Sequence, residues 1–220
     1  MTRPFRQLEM LPVYGFCHYW FVTLHSMFFR GDVSGVENIP TTGPFLLAGN
    51  HASHLDPPAI GSNVPRQISF FARKTLWKGP LTNWWMDQAG CIPVDRDGGG
   101  SDVSAIKKVL RTLQEGKALI LFPEGTRSKD GNFQAPKSGV GMIACRAKVP
   151  VVPVRIFDSH LAWGRGRYMN PGVPVSITYG KPLQIEDIED RSAGKQRYQV
   201  ASERIMAAIA KLERPSVTIV

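Results

Sequence analysis

The chain has 220 residues, 43% of them hydrophobic and 20% charged. That is enough for one sizeable core with a short appendage, and it excludes collagen-like, low-complexity and broadly disordered classes. The 27 Lys and Arg against 18 Asp and Glu leave a formal charge of +9, which favours acidic lipid headgroups, phosphorylated substrates or nucleic acid without choosing among them.

Residues 11–29, LPVYGFCHYWFVTLHSMFF, contain no Lys, Arg, Asp or Glu, while Arg3 and Arg6 precede them and Arg30 follows. The length is near the roughly 20 residues that cross a bilayer core. On a helix, Gly15, His18, Thr23, His25 and Ser26 fall within about half the circumference, with Val13, Phe16, Trp20, Leu24, Met27 and Phe28 opposite. That division predicts an interfacial or half-inserted helix rather than a full crossing. A helix packed on the domain core is the alternative. Trp and Tyr suit the headgroup region, and His18 and His25 are expected on the polar face rather than as ligands. Residues 31–43, GDVSGVENIPTTG, are rich in turn formers and read as the entry to the main domain.

From residue 44 short apolar runs alternate with helix-like segments. Residues 44–50, 67–72, 91–96, 117–124 and 149–157 read as strands, with a late one in 173–183. Helices are expected over 102–115, capped by Ser101 or Asp102 and closed by Gly116, and over 139–147 and 195–213. Lys107, Lys108 and Arg111 read as a solvated helix face. The alternation predicts an α/β fold, a central mostly parallel or mixed sheet flanked by helices, with an N-terminal membrane-interacting helical segment. Residues 1–40 form that segment and its linker, and 41–220 the α/β domain. The cysteines Cys17, Cys91 and Cys145 show neither metal-type spacing nor a disulfide framework, so each is expected to be a small buried or lipid-facing residue.

Three polar motifs follow three of these strands, at the sheet edge where α/β proteins usually bind ligands. The first is Asn50-His51-Ala52-Ser53-His54-Leu55-Asp56. An imidazole can take the proton of an attacking hydroxyl near neutral pH, and a carboxylate can fix its tautomer. Five residues apart, His51 and Asp56 would lie about 140° apart on a regular helix, so they meet only across a turn. Pro57 and Pro58 favour such a turn, with Asp56 as helix cap and Pro57 in the first helical position. Asp56 as a mere cap beside a hydrogen-bonded loop histidine is the alternative. His51, His54 and Asp56 as a metal trio lacks any familiar spacing. The second motif, Phe122-Pro123-Glu124-Gly125-Thr126-Arg127-Ser128, combines a glycine turn with donors suited to phosphate oxygens, or is a polar turn with a Glu124–Arg127 ion pair. The third, Gly90-Cys91-Ile92-Pro93-Val94-Asp95-Arg96, places an arginine at a strand end.

Together, over roughly residues 44–157, these segments resemble the glycerolipid acyltransferase family that includes 1-acyl-sn-glycerol-3-phosphate acyltransferases. The resemblance rests on Asn50, His51, Ser53 and Asp56, on Gly90 through Arg96, on the complete FPEGTRS block at 122–128, and on Val151-Val152-Pro153-Val154. It implies His51 as general base and Asp56 as its partner, a glycerol-phosphate site shaped by Arg96, Glu124, Gly125, Thr126 and Arg127, and a Val-Pro strand lining the acyl region. Where many members carry Ala-Lys-x-Glu-Leu, this chain reads Ala72-Arg73-Lys74-Thr75-Leu76, which puts acceptor preference in question. Lys74 and Lys137 are further candidates for the phosphate.

The resemblance implies transfer of a fatty acyl group from acyl-CoA or acyl-ACP to the free hydroxyl of a lysophospholipid, giving phosphatidic acid, with no cofactor and no metal. Attack is expected to be direct, because no Ser or Cys forms a nucleophile elbow. The protein is expected at the cytoplasmic face of a membrane, monotopic or peripheral, through residues 11–29. Other acceptors, including glycerol 3-phosphate or a lyso-aminolipid, and a non-catalytic lipid-binding role are the alternatives. Nucleic acid is not expected, since no RNA-binding or helix-turn-helix motif occurs.

Overall fold

The computed structural model describes residues 10–29, 31–94 and 103–216. Helix α1 (Pro12–Phe28) leads into β1 (Val33–Ser34), a 3-10 turn (Val36–Asn38), β2 (Leu46–Gly49) and α2 (Asp56–Gly61). Then come β3 (Ile68–Arg73), a 3-10 turn (Lys74–Leu76), α3 (Pro80–Gln88), β4 (Cys91–Val94), α4 (Val103–Gln114) and β5 (Ala118–Leu121). The rest comprises α5 (Gly139–Ala147), β6 (Val151–Phe157), α6 (Ser159–Trp163), β7 (Ser176–Tyr179), α7 (Ile185–Ile188), a 3-10 segment (Arg191–Gln196) and α8 (Arg197–Lys211).

The strands form one sheet in the order β1-β7-β6-β2-β5-β3-β4. All neighbours are parallel except the antiparallel pair β6–β7. Side chains of a strand alternate between the two faces, and both faces here are covered. Leu47, Ile120, Val152 and Val154 pack with α2 residues Ala59 and Ile60 on one side. Leu46, Ala48, Leu119 and Leu121 pack against α4, α5 and α8 on the other. This explains why the central strands read as continuous apolar runs. Because β2, β3 and β5 run parallel, the loops after them emerge at one edge, and that edge carries His51, Asp56, Lys74 and Glu124 to Arg127.

Several expectations change. The turn-rich linker contributes β1, which pairs with β7 through Val33–Ile177 and Ser34–Thr178, so the sheet begins before residue 41. The late strand is confined to Ser176–Tyr179, and the last helix opens as a 3-10 segment. Helix α3 was not foreseen; its sequence, PLTNWWMDQ, lacks a buried stripe, and none of its residues is buried. Asp56 is the first residue of α2 rather than its cap, a place taken by Leu55. The proposed caps Ser101 and Asp102 lie outside the described residues. Lys107, Lys108 and Arg111 do form an exposed face, with Arg111 paired to Glu115 at 3.0 Å.

Helix α1 is attached by its more polar side. Tyr14 is buried in the core and its oxygen accepts the Ile68 amide at 3.2 Å, while Gln67 Oε1 accepts from the Leu11 amide at 2.9 Å. His18 and His25 face the body, hydrogen-bonded to the backbone of Gly61 and Val175. One remaining nitrogen on each ring is buried without a partner. Phe16, Tyr19, Trp20, Met27 and Phe28 stay exposed on the opposite side. No described helix is long and apolar enough to cross a membrane.

Candidate active site

The site starts where β2 ends. Asn50 closes that strand by imitating a backbone strand: its amide nitrogen donates to the Ile156 carbonyl at 2.9 Å, and its oxygen accepts from the Ile156 amide at 2.8 Å. The chain then turns through residues 51–55 into α2, and Asp56 organises the turn from inside. Its buried Oδ2 accepts from the amides of Ala52 at 2.6 Å and Ser53 at 2.7 Å, and lies 2.8 Å from His51 Nδ1. A carboxylate oxygen held by two N–H groups is an acceptor, so the third contact requires a proton on Nδ1 and leaves Nε2 as the basic nitrogen. The turn anticipated between His51 and Asp56 is therefore built by the carboxylate itself.

Glu124 holds the same loop from β5. Its buried carboxylate accepts from the His51 amide at 3.0 Å through Oε1 and from the Gln134 amide at 3.2 Å through Oε2. Burial raises its pKa, an effect opposed by those two bonds and reinforced by nearby Asp56. Glu124 shapes the site from beneath, as a brace for the His51 backbone. The Ser128 amide completes the clamp, donating to the His51 carbonyl at 2.8 Å. Above it, the imidazole stacks on Phe122 with ring centres 4.0 Å apart and planes 16° from parallel.

The remaining predicted residues that the structure describes are spread over the same edge. Gly125 sits in a left-handed turn at φ 67°, and a Cβ there would stand 3.1 Å from Lys137 Cδ. Glycine therefore lets Lys137 lie across this turn. Thr126 is exposed on the turn. Arg127 is near enough to act on His54, whose pKa is lowered first by burial, then by the charges of Arg127 and His51. Lys74 is exposed in the 3-10 turn after β3. Arg96 lies outside the described residues. Among the described residues no group of three or more His, Cys, Asp or Glu is arranged to hold a metal ion.

Ser53 has no freedom to act as a nucleophile. It is buried, its hydroxyl donates to the Trp163 carbonyl at 2.8 Å, and its oxygen accepts from the Leu55 amide at 3.0 Å. The roles of Asn50, Ser53 and Phe122 were not read from the sequence. An Asn directly after an apolar strand was the one available signal for Asn50.

One cavity adjoins His51, and a second shares part of its wall. The first, of about 230 Å³, is lined by His51, Pro57, Phe70, Phe71, Phe122 and Gly125, among others. The second, of about 280 Å³, shares Pro57, Phe70 and Phe71 with it and continues between α1 and β3, past Cys17, His18 and Cys91. The imidazole thus lines one cavity, whose wall of Pro57, Phe70 and Phe71 also bounds an apolar one. The Val-Pro strand is elsewhere: Val152 and Val154 are fully buried beneath α2, because β6 is central in the sheet.

The family model described as Acyltransferase matches residues 30–157, more than half of the chain. The chain belongs to the acyltransferase family. It is 31% identical over 154 residues to the chloroplastic 1-acyl-sn-glycerol-3-phosphate acyltransferase BAT2 of Brassica napus, covering 70% of this chain and 43% of that one. It is 30% identical over 158 residues to the 1-acyl-sn-glycerol-3-phosphate acyltransferase alpha of Mus musculus, covering 68% of this chain and 54% of the relative. This acyltransferase chain thus spans about half the length of such curated relatives. Its fold matches the crystal structure of the 1-acyl-sn-glycerophosphate acyltransferase PlsC from Thermotoga maritima, with TM-score 0.67 and 27% identity over 92% of this chain and 80% of that one.

Proposed function

We propose that this chain transfers a fatty acyl group from an acyl thioester to the free hydroxyl of 1-acyl-sn-glycerol 3-phosphate, forming phosphatidic acid. The observation that carries the reading is the 2.8 Å His51–Asp56 pair, with Nε2 left basic, in a cavity that shares the wall of Pro57, Phe70 and Phe71 with an apolar one. Membership of the acyltransferase family and the names of its relatives supply the substrate class.

His51 Nε2 takes the proton of the acceptor hydroxyl as its oxygen bonds to the thioester carbonyl carbon. Asp56 stabilises the imidazolium through Nδ1–H. When the tetrahedral intermediate collapses, the carbon–sulfur bond breaks and His51 returns the proton to the leaving thiolate. Attack is direct, since the Ser53 hydroxyl is committed to Trp163. Arg127 and Lys137, with Lys74 and Arg96, hold the acceptor phosphate; the assignment of Arg96 rests on its motif. Phe70, Phe71 and the second cavity take the donor's acyl chain. Coenzyme A and acyl carrier protein are both suitable carriers, and no cofactor or metal takes part. The exposed side of α1 seats the enzyme at a membrane surface on the cytoplasmic side.

The test is thioester consumption by purified protein in detergent or vesicles, with lysophosphatidic acid as acceptor and His51→Ala alongside. Phosphatidic acid from the wild type, with turnover lower by roughly 10²–10⁴-fold in the variant, is the expected result. Equal turnover by a folded His51→Ala would remove the base. Transfer only to another lyso-lipid would move the acceptor assignment.

A further inference from the structure

Helix α3 is anomalous by the usual logic of folding. An amphipathic helix gains most of its stability by burying an apolar face, yet α3 buries none of its residues. Leu81 is 76% exposed, Trp84 52% and Trp85 41%. The helix is nevertheless well anchored. Thr82 Oγ1 accepts from the Lys78 amide at 3.1 Å and donates to the Gly79 carbonyl at 3.0 Å, and Trp77 Nε1 donates to Asp87 at 3.1 Å.

Its bare side chains join those of α1. Trp85 meets Phe16 edge-on at 6.5 Å, and Phe16 stacks on Trp20 at 6.3 Å. Phe16 and Trp20 are themselves 62% and 57% exposed. The apolar surface of α1 therefore continues across α3 as one exposed patch, and a contiguous apolar patch of this kind marks a contact surface.

We propose that α3 is a second membrane-contacting helix, which enters an anionic lipid surface beside α1. Two observations select lipid over another protein. First, no acidic residue occurs between Asp56 and Asp87, a stretch that carries Arg66, Arg73, Lys74 and Lys78. Arg73, Lys74 and Lys78 are exposed just before α3. Cations bordering Trp and Leu match the layering of a bilayer, phosphates outside and acyl chains within. Second, the apolar cavity of about 280 Å³ lies under α1, with Tyr14, Cys17 and Phe21 on one side and β3, β4 and Ala89 at the C-terminal end of α3 on the other. A chain entering from a bilayer would reach the His51 pocket through it without crossing water. This last point rests on the proposed acyl transfer; the patch and its charge do not.

The experiment uses the full chain with vesicles of phosphatidylcholine, with and without phosphatidylglycerol. Leu81→Asp/Trp84→Asp should bind vesicles roughly tenfold or more weakly. Lys78→Glu should lose affinity only where phosphatidylglycerol is present. Both should keep wild-type circular dichroism and wild-type turnover of a monomeric short-chain lysophosphatidic acid without vesicles, because Lys78 is exposed and no residue of α3 is buried. The milder Leu81→Ser/Trp84→Ser repeats the test should the aspartates unfold the helix. Unchanged vesicle binding in the folded α3 variants, beside weakened binding in Trp20→Asp, would confine the contact to α1 and overturn the proposal. A concentration-dependent dimer broken by the α3 variants, with vesicle binding intact, would assign the patch to a second copy and overturn it equally. Absence of transfer by the wild type would sink the acyl-transfer reading and leave the vesicle arms standing.

Discussion

Asp56 and Glu124 are both buried carboxylates in the same site, yet their geometry divides the work. Asp56 faces an imidazole nitrogen as well as two amides. Glu124 faces amides alone, those of His51 and Gln134. Replacement of Glu124 by Gln leaves one acceptor for two N–H groups and turns an NH₂ toward the other. Glu124→Gln should therefore lose about 1–3 kcal/mol of stability. It should also lower kcat more than it raises acceptor KM, because the His51 backbone moves. Denaturant unfolding and steady-state kinetics check this, and a pure rise in KM at unchanged stability would return Glu124 to direct contact with the acceptor. The motif around Glu124 was evident from residue types alone. That its carboxylate grips a backbone 73 residues away was not, since spacing along a chain says nothing about pairing between strands.

Among the described elements, α5 and α8 cross closely, and Gly141 permits it. A Cβ on Gly141 would stand 2.2 Å from the Tyr198 carbonyl oxygen and 2.8 Å from Ser202 Oγ, which accepts the Gly141 amide. Gly141→Ala must push the helices apart and should cost about 1–3 kcal/mol, read as a lower midpoint in denaturant. An unchanged midpoint would mean that α8 shifts freely on the sheet. The main helices and the central strands were legible because each buries a regular face, whose period is written in the residues. Helix α3 and the short strand β1 were not. The first buries nothing, and the second consists of two residues, Val33 and Ser34, that acquire meaning only beside Ile177 and Thr178.

At the scale of the whole molecule, α1 is joined to the sheet domain partly through two histidines. Burial lowers the pKa of His18 and of His25, against the opposing bonds to Gly61 and Val175. Folded values below the ordinary 6.5 mean that the unfolded chain binds these protons more readily. Stability is therefore fully present above about pH 6.5 and is lost as the pH falls below it. The thermal midpoint of the wild type should drop between about pH 7 and pH 5, and His18→Gln/His25→Gln should flatten that drop. The raised pKa of Glu124 acts in the opposite sense and is common to both proteins, so their difference isolates the histidines. Parallel curves would show that α1 holds without regard to this charge.

The sequence by itself determined the fold class and the run of apolar central strands, because residue type and period suffice for those; that His51 and Asp56 could meet across a turn was legible in their spacing, while their roles came from the family resemblance. A five-residue loop closed by a carboxylate is a local event. Tertiary structure alone decided that Asn50 is tied to β6, that Glu124 and Ser128 clamp His51, that Phe122 lies against the imidazole, and which side of α1 meets the body. Those contacts join segments distant along the chain, and only the order β6-β2-β5-β3 of the sheet brings them to one edge.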